Sequence, residues 1–96
     1  MKIAAFDIGG TSLKMGVVSS QGDILHKDKK EIPHRSGEAI LAAILGWLKQ
    51  HPGCEGIAIS VPGYINPHSG FITMGGAIRD FDHFDITGWL ENKTGL

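Results

Sequence analysis

The chain has 96 residues, of which 42% are hydrophobic and 20% charged, and this length excludes two independent domains. Nine basic and ten acidic side chains give a formal net charge of -1, so the overall charge favours neither a nucleic acid nor an anionic membrane as partner. No apolar stretch approaches the roughly 20 residues that a membrane-spanning helix requires. Asp7 interrupts the apolar start where a secretory signal would continue, and the single cysteine, Cys54, excludes an internal disulfide. Both features predict a soluble, cytoplasmic protein.

Three antiparallel strands are predicted at the start of the chain. Residues 2–8 form a short apolar run that ends at the Gly9-Gly10 pair, and glycines at this position favour a tight turn. Alternating apolar residues at 13–18 predict a second strand, joined to the first as a hairpin. Residues 24–32 carry interleaved lysines, which are typical of an exposed edge strand.

A helix and a parallel strand are predicted next. Ser36 is the expected N-cap, and a turn at residues 51–53 ends the helix. The helical spacing is carried by apolar side chains, namely Ile40, Leu41, Ile44, Leu45 and Leu48. Residues 56–61 form a β-branched run, and a strand that follows a helix is expected to lie parallel to an existing strand.

The last third of the chain predicts a hairpin and a second helix. The Pro62-Gly63 pair ends the preceding strand, and residues 64–73 carry turn signals between apolar positions. Asp85 is the expected cap of a helix over residues 86–94, and Gly95 is expected to close it in the left-handed conformation.

The first turn has the composition of a phosphate-binding segment. Asp7 ends a buried strand, Gly9 and Gly10 follow, and Thr11 supplies a hydroxyl. Such turns can direct backbone N–H groups at an anion, and a carboxylate beside them can hold hydrated Mg²⁺. A plain hairpin turn accounts for the D-x-G-G-T spacing equally well. Lys14, on the returning strand, either places an ammonium group near a phosphate or is an ordinary surface lysine.

Two further glycine segments have a binding and a structural interpretation. Gly63 follows the predicted parallel strand, at the end of the sheet where α/β proteins gather ligands, but it also suits a simple turn. The Gly75-Gly76 pair either admits a ligand or permits a bend. No P-loop or G-x-G-x-x-G pattern is present.

An acidic cluster near the end suggests a metal site, but its pattern favours a loop. The cluster alternates with phenylalanines, as expected of a loop held by apolar anchors, and comprises Asp80, Asp82, His83 and Asp85. The remaining histidines stand alone along the sequence, at His26, His34, His51 and His68. Cys54 has no neighbouring histidine or second cysteine to activate it, so a buried structural thiol is expected.

Taken together, these motifs resemble the N-terminal lobe of the ROK family of bacterial sugar kinases and sugar-responsive repressors, which have the actin and hexokinase fold. The resemblance rests on A-F-D-I-G-G-T at residues 5–11 with Lys14, on I-A-I-S-V-P-G at residues 57–63, and on T-M-G-G at residues 73–76. It covers the whole chain. It implies that residues 1–96 form an α/β N-terminal lobe with a mixed five-stranded sheet and helices packed on it.

The resemblance also implies a substrate and site residues. The opening segment and residues 72–84 are most similar to family members that use ATP to phosphorylate the 6-hydroxyl of a glucose unit in β-glucosides such as cellobiose. The implied phosphate-binding residues are Asp7, Ile8, Gly9, Gly10, Thr11 and Lys14, with Asp7 near Mg²⁺. The implied sugar-binding residues are Gly63, Tyr64 and Gly76. Family members usually have a small or basic residue in place of Tyr64, and an aromatic ring here favours stacking on a disaccharide.

The family pattern continues after the last helix with an N-D-A-N-like motif, whose aspartate is the general base. This sequence ends at Leu96, before that motif. The resemblance therefore implies a segment of a longer, homodimeric kinase and an inactive 96-residue chain. A glucokinase or an N-acetylmannosamine kinase is an alternative. A repressor is another, but its helix-turn-helix would precede D-x-G-G-T, which begins here at residue 7. An unfinished sheet argues against a separate binding module.

Overall fold

The structure is a computed structural model that describes residues 1–32 and 35–96, and three antiparallel strands open it as predicted. They are β1 (Lys2–Ile8), β2 (Ser12–Ser19) and β3 (Ile24–Glu31). Strand β1 alternates between two environments, with Phe6 and Ile8 buried and Asp7 exposed on the other face. Strand β3 is exposed along its whole length, which confirms the predicted edge strand.

Helix α1 (Gly37–Gln50) covers one face of this sheet. The Ser36 hydroxyl accepts a hydrogen bond from the Ala39 amide at 3.2 Å, which confirms the predicted N-cap. The buried residues of α1 are Gly37, Ile40, Ile44 and Trp47. The predicted apolar face did not include Trp47, and its leucines at positions 41, 45 and 48 are only half-buried. Trp47 packs edge-on against Phe6 of β1, with ring centroids 5.5 Å apart.

Strand β4 (Gly56–Ser60) pairs in parallel with β1, as predicted. The strand order is β3-β2-β1-β4, so the described residues form a mixed sheet of four strands and not the predicted five. The chain leaves the sheet after β4 because Gly63, at φ 93°, turns it away. The later strands then pair with one another in a separate small sheet.

That second sheet contains β5 (Tyr64–Ile65), β6 (Phe71–Met74) and β7 (Phe84–Asp85). The antiparallel β5–β6 pair confirms the predicted hairpin, whereas β7 was not predicted. Helix α2 (Ile86–Thr94) follows directly, with the Asp85 carboxylate accepting a hydrogen bond from the Gly88 amide at 3.0 Å. Gly95 closes α2 at φ 77°, as expected. In the parts of the chain that the structure describes, no helix is long and apolar enough to cross a membrane.

Candidate functional site

Three polar side chains share one line across the main sheet. Asp7 lies directly opposite Lys14 of β2 on one side and directly opposite Ser60 of β4 on the other. Directly paired residues project from the same face of a sheet, and all three are on the face away from α1. The two ion pairs between described residues, His26 with Asp28 and Lys29 with Glu31, involve neither Asp7 nor Lys14. A carboxylate and an ammonium group are therefore available to a ligand beside the glycine turn.

The turn between β1 and β2 is held from two sides. The Gly9 amide donates to the Ser12 carbonyl at 2.9 Å, and the Ile32 amide donates to the Thr11 carbonyl at 2.8 Å. Neither glycine of the turn has a positive φ, so the tight turn is confirmed without the left-handed conformation that glycine permits. The Gly10 and Thr11 amides have no hydrogen-bond partner among residues 1–32 and 35–96.

Two of the predicted phosphate-binding residues are constrained by their packing. The Ile8 side chain is only 2% exposed and belongs to the core, so only its backbone faces the turn. The Gly9 amide is already bonded within the turn, so Gly10 and Thr11 carry the turn amides that are unbonded among the described residues.

The predicted sugar-binding glycines lie next to each other and close to this turn. A Cβ on Gly63 would overlap the Met74 carbonyl, and a Cβ on Gly76 would lie 3.2 Å from the Gly63 nitrogen. Both glycines also have positive φ values, 93° and 61°. A Cβ on Gly10 would lie 3.5 Å from the Cβ of Ala77, which adjoins Gly76. The structure thus brings the two predicted binding segments together. Close backbone packing explains why positions 63 and 76 are both glycine.

Tyr64 stands beside these glycines with an exposed ring. It begins β5 and pairs with Met74 of β6, and the two side chains are 71% and 53% exposed. Sequence patterns did not identify Met74, because its place opposite Tyr64 depends on an irregular register in this hairpin. Ser60, opposite Asp7, was missed for a similar reason, since only the parallel register of β1 and β4 brings them together.

The acidic cluster has structural roles. The Asp80 carboxylate accepts from the Gly37 amide at 2.8 Å, and the Asp82 carboxylate accepts from the Gly75 amide at 2.7 Å. Asp85 caps α2. Among the described residues no group of three or more acidic, histidine or cysteine side chains has a metal-binding arrangement. Phe81 is buried, which agrees with the predicted loop held by apolar anchors.

Two of the histidines that stand alone along the sequence come together in the fold. The His26 and His51 rings lie 4.8 Å apart, and the His51 ring lies 4.0 Å from that of Trp47. They come from β3 and from the end of α1, so only the packing of the helix on the sheet brings them together. His34 lies outside the described residues. Cys54 is a buried free thiol, as predicted.

Comparisons with known proteins identify the family to which this chain is similar. The model of the ROK family matches residues 3–96. The chain is 62% identical to a β-glucoside kinase of Klebsiella pneumoniae and 55% identical to one of Listeria monocytogenes, over its whole length and over 32% and 33% of theirs. It superposes with a TM-score of 0.81 on a ROK family glucokinase from Streptomyces griseus in complex with glucose and AMPPNP, at 26% identity, covering 100% of this chain and 31% of that one.

These likenesses confirm the predicted fold class, an α/β lobe of the actin- and hexokinase-like type. The chain spans about a third of the length of the relatives it matches. Because the family model extends over nearly every residue, including both glycine segments of the candidate site, this chain belongs to the ROK family.

Proposed function

We propose that the full-length protein containing this segment is an ATP-dependent kinase that phosphorylates the 6-hydroxyl of a glucose unit in β-glucosides such as cellobiose. The observation that carries the proposal is the pair of opposite charges, Asp7 and Lys14, beside the glycine turn and next to the Gly63–Gly76 contact. Within residues 1–32 and 35–96 neither charge takes part in an ion pair. Relatives named β-glucoside kinases, at 62% and 55% identity, support the choice of substrate class.

In this proposal one set of residues binds the phosphates of ATP and another set binds the sugar. Phosphoryl transfer depends mainly on positioning and on neutralising charge, so the Gly10 and Thr11 amides and the Lys14 ammonium group hold phosphate oxygens. Asp7 is an exposed carboxylate that forms no ion pair with any residue the structure describes, which suits a single protein ligand of Mg²⁺, because this ion keeps several waters and phosphate oxygens in its shell. When bound, Mg²⁺ supplies the charge that offsets the transferred phosphoryl group.

On the sugar side, the backbone of Gly63 and Gly76 forms a wall without side chains. Tyr64 offers a flat apolar face beside it for the second ring of a disaccharide. The general base lies outside residues 1–96 in this proposal. We expect the full-length protein to be a cytoplasmic homodimer that binds neither nucleic acid nor membrane.

The deciding experiment compares kcat/KM for cellobiose, glucose and N-acetylmannosamine in the full-length protein, measured by coupled ADP release. We expect cellobiose to be the best of the three. A preference for either monosaccharide by about tenfold, or ~1.4 kcal/mol of transition-state discrimination, would replace the β-glucoside assignment with a glucokinase or an N-acetylmannosamine kinase. If the full-length protein shows no sugar-dependent ADP release and binds DNA in a sugar-sensitive way, the proposed kinase function is wrong and the protein is a repressor.

A further inference from the structure

A pair of like charges lies directly next to Asp7 in the main sheet. Lys14 of β2 faces Asp7 on one side and faces Lys29 of β3 on the other. Like charges that lie directly opposite each other destabilise an antiparallel pair of strands. The phosphate site proposed above uses Lys14 and leaves this repulsion unexplained.

Lys29 lies on the same face of the sheet as Lys14 and Asp7. The next residue, Lys30, pairs with Leu13, which is fully buried on the α1 side, so alternation places Lys29 on the opposite side. Lysines on an edge strand also discourage pairing with other strands, but Lys27, opposite Gly16, meets that need without facing another lysine. Protection of the edge therefore does not account for a lysine opposite Lys14.

The present partner of Lys29 is a weak one. Its Nζ lies 3.4 Å from Glu31 Oε1, in an ion pair whose side chains are 57% and 71% exposed, and exposed pairs of this kind contribute little stability. The end of β3 also runs beside the glycine turn, because the Ile32 amide donates to the Thr11 carbonyl at 2.8 Å. Lys29 is thus a solvent-exposed ammonium group close to the candidate phosphate site.

We propose that Lys29 is a further nucleotide-binding residue, and that the Lys14 and Lys29 ammonium groups together hold the polyphosphate of ATP. This inference rests on the proposed kinase function. Adjacent strands lie about 4.8 Å apart, a spacing at which one polyphosphate chain can contact two lysines at once. A bound polyanion between the lysines replaces their mutual repulsion with attraction to a shared partner. A neutral sugar offers no such compensation.

The test compares Lys29→Gln with Lys30→Gln in the full-length protein. The two variants lose the same charge from neighbouring positions of one strand, but on opposite faces of the sheet. We expect Lys29→Gln to raise the KM for MgATP about fivefold or more, and to change it more than kcat, since a charge-assisted phosphate contact is lost. Lys30→Gln should stay within about twofold of wild type. Glu31→Gln should lower the KM for MgATP, because it releases Lys29 from its ion pair.

A binding measurement separates this inference from the kinase proposal. Calorimetric titration with tripolyphosphate, without sugar, should show weaker binding to Lys29→Gln than to Lys30→Gln, with a difference that shrinks at high salt. Equal KM and equal tripolyphosphate affinity in these two variants would overturn the role of Lys29 and leave the kinase proposal intact. If the wild type has no sugar-dependent turnover, the kinase proposal fails and the titration still decides on Lys29. A lower unfolding temperature of nucleotide-free Lys29→Gln than of wild type would also count against the inference, because relief of repulsion should offset the lost Glu31 pair.

Discussion

Asp7 and Lys14 face each other across β1 and β2, and neither contributes to the ion pairs between described residues. Beside them, the Gly10 and Thr11 amides have no hydrogen-bond partner in the described part of the chain, and such a group of charges and amides is suited to binding an anion and its counter-ion. Asp7 and Lys14 occupy the outer face of the sheet, where their loss removes no core contact. Substitutions at these positions therefore test chemistry separately from folding.

Asp7→Asn keeps the size of the side chain and removes its charge. In the full-length protein we expect kcat to fall about 10²-fold or more with little change in the KM for sugar, because the carboxylate is assigned to Mg²⁺ and phosphate. Asp23→Asn, at an exposed position in the β2–β3 turn, is the matched control and should leave kcat unchanged. An unaltered kcat with a raised KM for sugar would move Asp7 to the sugar site.

Tyr64 permits a second test, at the level of substrate choice. Because Tyr64 is 71% exposed, removing its ring should affect a ligand more than the fold. We expect Tyr64→Ala to reduce kcat/KM for cellobiose more than for glucose, by about fivefold, since stacking on a ring contributes ~1 kcal/mol. Tyr64→Phe keeps the flat face and should behave like wild type. Equal losses for both sugars in Tyr64→Ala would place the second ring elsewhere.

At the scale of elements, helix α1 contains two glycines in contrasting surroundings. A Cβ on Gly37 would lie 2.8 Å from both the Asp80 Cβ and the Phe81 Cε1, whereas a Cβ on Gly46 would meet no atom of the described residues within 4 Å. We expect Gly37→Ala to lower the free energy of unfolding by about 1–3 kcal/mol through overpacking against buried Phe81. Gly46→Ala should raise it by about 0.5–1 kcal/mol, because alanine restricts the unfolded chain.

Urea unfolding of both variants, at an unchanged m-value, measures these two effects. Both variants exchange glycine for alanine in the same helix, so an opposite sign of the two effects reports on the contacts of Gly37. Tolerance of Gly37→Ala would contradict the packing of α1 against the loop that contains Asp80, and destabilisation by Gly46→Ala would contradict the open space beside Gly46.

The elements also show which features could be read from the sequence. Both helices and their caps at Ser36 and Asp85 were predictable, because a cap and its partner amide lie three residues apart. The bond from Asp80 to the Gly37 amide was not, because its partners are 43 residues apart. The acidic cluster consequently resembled a metal site, although its hydrogen bonds hold loops and a helix start in place.

In the candidate site, too, local features were predictable from the sequence and contacts between distant residues were not. The phosphate turn and both glycine segments were located by local motifs and by the family resemblance. Ser60 and the contact between Gly63 and Gly76 emerge only from strand register and from backbone packing between distant segments. The family resemblance implied five strands in the main sheet, but the strands that follow β4 pair with one another in a second sheet.

At the scale of the molecule, the chain corresponds to about a third of its relatives' length. We expect the isolated 96-residue chain to release no ADP in a sugar-dependent way, since the proposed general base lies outside it. The full-length protein is the positive control in the same coupled assay. Turnover by the 96-residue chain above a no-protein control, with any sugar, would show that these residues contain a complete site.

The hydrogen bond between the Asp80 carboxylate and the first amide of α1 can form only late in the synthesis of the chain. Its partners are 43 residues apart, which at ~5–20 residues per second corresponds to roughly 2–9 s of translation. A helix forms within about a microsecond, so α1 can begin on its Ser36 cap long before Asp80 exists. The bond from Asp80 can form only after the ribosome has supplied the loop before β7, so α1 gains this second cap later than its Ser36 cap becomes available.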